Sequence, residues 1–200
     1  MNIPKVEFIT QHKLHQMAAL YAQEKKWEPL SLEKLQERAE EYKKRWSQVE
    51  EKILLGLQDI CGLTYKEDTI NVYLLPAYKG GFSTPLVTGS YLEPDRYIDI
   101  LSHELIHRLF SRDKEEYSFF QILKEMYPNK ENLVIIHVAV HAVLKALYKD
   151  VLNEPSRLER DIEKSQMFPA YKEAWEIVER DGYESIIKKL FPKTKLNIQK

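Results

Sequence analysis

YIDILSHELIHRLF, residues Tyr97 to Phe110, is the stretch on which the reading of this chain turns. Its apolar residues Ile98, Leu101, Leu105 and Leu109 recur at steps of three and four, the spacing of an amphipathic helix. On that helix His103 and His107 stand one turn apart on one face. Two imidazole nitrogens at this spacing can converge on one zinc ion, and Glu104, beside the first of them, reaches a water held at the metal's open position. The metal lowers that water's pKa to about 7, which makes Glu104 a candidate general base that passes the proton to a leaving amine. The expected chemistry is peptide-bond hydrolysis.

With these residues in place the chain resembles the zincin superfamily of zinc metallopeptidases, and within it the compact gluzincin-like type. The matching positions are His103, Glu104 and His107, preceded by INVYLLP (70–76) and TPLVTGSYL (84–92). The resemblance covers roughly residues 50 to 150, and its specific part is the five-residue motif. It implies a small sheet before the motif helix, an edge strand that holds a peptide substrate, and a later helix that delivers a third metal ligand.

A catalytic zinc site generally uses three protein ligands and a water. The extended metzincin motif would place the third ligand at Asp113, but it also needs glycine where Phe110 stands. Glu115 and Glu116 follow in the charged run SRDKEEY, which reads most simply as a solvated turn. NLVIIHVAVHAVLKALYKDV, 132–151, is apolar almost all round through its first half, so it should be a buried helix, yet it carries His137 and His141 one turn apart. Buried histidines need partners. A gluzincin carries Glu and Asp at such a pair; by that resemblance His137 is the third ligand, and His141 orients a ligand or faces the transition state. Histidine in place of Glu departs from the gluzincin pattern, although three histidines and a water are a sound zinc site. His141 and the acidic residues remain alternatives. An oxyanion also needs a donor. Tyr148, seven residues after His141, is the candidate, with Tyr171 and Tyr183 behind it among twelve tyrosines.

The rest of the chain supplies the frame. Residues 1–9 read as extended and Gln11 to Lys26 as helical; His12 and His15 there read as surface or packing histidines. A long helix is expected from the N-cap Ser31 to the C-cap Gly62, with a stripe of Leu32, Leu35, Ala39, Tyr42, Trp46, Val49, Ile53, Leu57 and Ile60. The stripe would lie on a sheet, or pair with another chain as a coiled coil. Thr69–Leu75 and Leu86–Leu92 are expected strands around a turn at Lys79–Gly81. If the second is the edge strand, a substrate peptide can add to it, and Gly89 lets a ligand's backbone come close or marks a bulge. Helices follow over Arg157–Ser165 and Pro169–Arg180, then a short last one before Phe191 and a basic tail. RLERDIEKS reads as a solvated face on which Arg157 or Arg160 could meet a substrate carboxylate.

Composition sets the outer limits. The 200 residues are 44% hydrophobic and 30% charged, as in a folded soluble domain. The expected class is α+β, a mainly helical single domain over 1–200, with N-terminal helices (1–62), a small mixed sheet and the motif helix (63–111), and a helical C-terminal part (112–200). A net charge of −1 gives no general field for nucleic acid or an anionic membrane. Cys61 is the only cysteine, so no internal disulfide forms, and no leader or spanning run is apparent. The expected setting is cytoplasmic. The expected function is that of a zinc metallopeptidase with a shallow cleft, acting on a peptide or an unfolded segment. A catalytically weak zincin-like binding or regulatory protein is the alternative. A DNA-associated protease is a third reading, against which the charge and the lack of a zinc-ribbon cysteine set both argue.

Overall fold

A computed structural model describes residues 3–11, 13–111 and 116–195. The architecture is α+β and mainly helical, with one small mixed sheet of four strands among the described residues. Contacts divide the chain into two compact units, Asn2–Glu51 with Glu67–Arg108, and Lys52–Lys66 with Leu109–Lys200.

The first unit holds the sheet. Strand β1 (Lys5–Ile9) precedes helices α1 (Leu14–Glu24) and α2 (Leu32–Trp46), and β2 (Thr69–Leu75), β3 (Gly81–Ser83) and β4 (Leu86–Gly89) lead into the motif helix. The order is β1-β2-β4-β3: β2 runs parallel to both β1 and β4, and β3 is antiparallel to β4. Alternation along β2 buries Ile70, Val72 and Leu74, as a strand with one core face requires. Tyr42 of α2 stacks on Tyr97 at 3.7 Å between ring centroids, its hydroxyl donates to the Leu92 carbonyl, and Tyr97 shares a 2.8 Å hydrogen bond with Thr88 of β4. Both phenols therefore have polar partners, as buried hydroxyls need.

Three expectations are corrected here. The single helix from Ser31 to Gly62 is interrupted: α2 ends at Trp46, and α3 (Glu50–Cys61) begins after a tight turn. The Ser47 hydroxyl donates to Lys44 O, and Val49 N bonds Trp46 O, contacts that compete with the helical ladder. Both expected caps are present all the same, with Ser31 Oγ accepting from Lys34 N and Gly62 at φ +63°. The strand expected over Leu86–Leu92 stops at Gly89, because that residue pairs with Leu75, and Pro76 beyond it has no N–H to continue the ladder. That strand is also interior. The edges are β1 and β3, and β3 takes Gly81 out of the expected turn.

Gly89 admits the chain's own backbone rather than a ligand's: a Cβ there would overlap the Tyr78 carbonyl, and Gly89 N donates to Gly80 O. Gly89→Ala should therefore destabilise the protein by about 1–3 kcal/mol, the cost of overpacking against a backbone that cannot yield. A urea midpoint shows it; an unchanged midpoint means that the Tyr78 turn gives way.

The second unit is helical. It contains α3 from Lys52 onward, then α5 (Glu116–Met126), α6 (Asn132–Ala146), α7 (Pro155–Ser165), α8 (Pro169–Asp181) and α9 (Tyr183–Leu190). The helix expected to run to Val151 changes at Leu147 into a π-helical turn, Leu147–Leu152, closed by Asn153 in the left-handed region. Gly56 lies against Val151 and Leu147 of that turn, where a Cβ would meet Val151 at 2.8 Å. Phe110, Phe119 and Phe191 form an aromatic cluster in the core. The basic C-terminal stretch is anchored as far as Lys195, which bonds Asp59 through its backbone and its ammonium group.

Candidate metal centre

Helix α4 (Pro94–Ser111) carries the motif and begins three residues earlier than expected, with Pro94 at its first position, where a missing N–H costs nothing. Asp95 in the first turn suits the helix dipole and pairs with Arg45 of α2 at 2.8 Å. Ile98, Leu101, Leu105 and Leu109 are buried, so the periodic stripe faces the core and His103 and His107 stay partly exposed. Their Nε2 atoms are 3.2 Å apart. Zn–N bonds of about 2.0–2.1 Å place two tetrahedral ligands about 3.3 Å apart, so this pair is already at ligand spacing.

His137 is buried on α6. A hydrogen bond between Nδ1 and the Leu133 carbonyl, 2.8 Å, fixes its ring and leads to the tautomer with Nε2 as acceptor. Burial lowers its pKa from the ordinary 6.5, with that bond partly opposing, so the ring is neutral at pH 7, the form that binds metal. One ligand nitrogen from each of His103, His107 and His137 lies within 4.8 Å of the others, close enough for the three to hold a metal ion. All three offer imidazole nitrogens, a set that fits zinc.

Of the remaining candidates, His141 and Tyr171 adjoin His137, with ring centroids 5.7 Å and 4.0 Å from it. His141 is fully buried, stacked on Trp175 at 4.5 Å, while the Trp175 indole donates to Asp161 and Ser165. Tyr171 stacks on His137 at 4.0 Å. Tyr148 is fully buried in the π-helical turn, and the Tyr183 hydroxyl donates to Asp150. Arg157 does not sit on a solvated face: it is buried, with Nε donating to Glu154 at 2.6 Å, because α7 turns that residue into the core. Arg160 remains half-buried. His12, Asp113 and Glu115 lie outside the described residues, and Glu116 opens α5. Cys61 is buried, which pushes its thiol up and leaves it inert.

Two features were not legible in the sequence. Glu104 is buried to 9% exposure, and its carboxylate lies on Gly81 of the edge strand, where a Cβ would meet Oε1 at 2.5 Å. Arg108, next to the second histidine, donates Nη1 to Ser83 O of the same strand at 3.1 Å and Nη2 to Glu67 at 2.7 Å. The motif helix thus meets β3 at two points one helical turn apart, Glu104 against Gly81 and Arg108 on Ser83. The other feature is Tyr78, in the turn between β2 and β3. Burial raises its pKa first, and the negative charge of Glu104 adds to that, so the phenol stays protonated near the carboxylate. The double glycine Gly80-Gly81 was the one available signal, and it reads equally well as an ordinary turn.

No family model matches the chain, and neither a curated protein nor a solved structure is similar enough to count as a match. Among the described residues no helix is long and apolar enough to cross a membrane.

Proposed function

We propose that this protein is a zinc-dependent metallopeptidase. The observation that carries the reading is the group of His103, His107 and His137 nitrogens within 4.8 Å of one another, with Glu104 next to the first of them. His103, His107 and His137 hold the ion. Zinc, when bound, acidifies water toward a pKa of about 7 and polarises the carbonyl to be attacked. Glu104 accepts the proton of the attacking water and returns it to the amine nitrogen as the C–N bond breaks. Burial against Gly81 keeps that carboxylate in one place, and a fixed base needs little reorganisation in the transition state. The substrate is a peptide or an unfolded segment, whose backbone pairs with the outer side of β3.

The experiment is elemental analysis of untagged protein beside His137→Ala. The reading expects about one zinc per chain and a clear loss in the variant, because two histidines alone leave the ion short of a protein ligand. Full zinc in the variant moves the third ligand elsewhere. No uptake of added zinc by the wild type ends the reading in favour of a zincin-like binding protein.

A further inference from the structure

We infer that a second copy of this chain covers helix α1, the two α1 helices packing antiparallel about a two-fold axis. The inference is independent of the metallopeptidase reading, since no residue of the histidine cluster takes part.

Helix α1 is docked the wrong way round for its composition. Its buried side chains, among the described ones, are the small Ala18 and Ala22, while Met17 and Leu20 stand 66% and 65% exposed and Tyr21 40%. A helix whose only task is to close a core turns its large apolar residues inward. Met17 and Leu20 left in water forgo most of the stabilisation that burial of such side chains gives, and a second apolar surface restores it.

The ends of the exposed stripe decide what fits it. Lys13, Met17, Leu20 and Glu24 follow one another at steps of four, three and four, the spacing of a two-stranded coiled-coil seam, and Lys13 keeps helical dihedrals at the N-cap. Lys13 and Glu24 are both exposed. A helix laid end for end against its copy sets Met17 on the copy's Leu20 and Lys13 on the copy's Glu24, and two-fold symmetry repeats both contacts. Lys13 at the N-terminus and Glu24 in the last turn oppose the dipole of their own helix, whereas in the antiparallel pair each comes beside the end of the copy that suits its charge. Parallel packing would set like charges on each other at both ends.

The neighbouring charges leave the seam clear. Lys25 lies over the Tyr21 ring at 5.7 Å, and Lys26 stands past the helix at φ +56°. With one charge of each sign, the stripe offers no net field to an acidic or a basic partner, and its own copy matches both ends. A pair of 11-residue helices covers less than the roughly 1,200–2,000 Å² of a standard stable interface, so the dimer is weak and depends on concentration.

Sedimentation equilibrium of untagged protein, from about 1 μM to about 500 μM, tests this. The mass should rise from the 23.7 kDa of one chain toward twice that value. Leu20→Glu should weaken the dimer roughly 100-fold or more, because two symmetric apolar contacts go. Lys13→Glu and Glu24→Lys should each weaken it roughly tenfold, with like charges facing at two places where ion pairs stood. The two charge changes together should restore it. All four positions are exposed in the single chain, so urea midpoints should stay at the wild-type value. A wild type that stays at the mass of one chain throughout overturns the inference. So does a dimer that Leu20→Glu leaves intact, which uses another face, or a double charge variant no tighter than the single ones, which lacks the antiparallel pairing.

Discussion

Replacing Glu104 by Gln should abolish casein hydrolysis, by roughly 100- to 10,000-fold, while zinc content and unfolding midpoint stay at wild-type values. Glutamine has the shape of glutamate, so it keeps the packing against Gly81 and the 9% exposure of the native side chain. An amide cannot accept the water's proton at neutral pH. Loss of turnover without loss of metal or fold therefore separates the base from the ligands. Wild-type activity in this variant would mean that another group moves the proton, and HELIH would then serve only to bind metal.

Arg108→Ala should destabilise the protein by about 3–5 kcal/mol, read from urea unfolding. The guanidinium and Glu67 are 10% and 20% exposed, and removing one partner leaves the other charge in a place that solvates it poorly. The Ser83 carbonyl loses a charged donor at the same time. Glu67→Ala added to Arg108→Ala should restore part of the stability, since the stranded carboxylate is gone; the double-mutant cycle measures the coupling. A loss below about 1 kcal/mol would place the pair among solvent-screened surface bridges. Because Arg108 also ties β3 to the motif helix, the single variant should lose turnover at temperatures where it is still folded.

Much of this structure is written locally. The motif helix follows from Ile98, Leu101, Leu105 and Leu109, the strand β2 from its β-branched alternation, and the start of α2 from Ser31, since periodicity and capping depend on residues within one turn of each other. His103 and His107 are legible as a pair for the same reason. The break at Ser47–Val49 is harder to see, because the apolar stripe runs through it: Tyr42, Trp46, Val49 and Ile53 are all buried on either side. Only the competing Ser47 and Val49 bonds reveal the interruption.

The sequence by itself determined the α+β class, the helix that presents two histidines and a glutamate, and the buried helix that carries His137, because each rests on spacing along one element. Tertiary structure alone decided that β3 rather than β4 lies at an edge of the sheet, that Gly81 lies under Glu104, that Arg108 ties that edge to the motif helix, and that Tyr78 stands near enough to feel the charge of Glu104. Strand order and the approach of one turn to another helix depend on partners far apart in the chain. A three-residue strand that opens on the second of two glycines carries almost no local pattern, and its place is set by the hydrogen bonds of β4 on one side and the Arg108 guanidinium on the other.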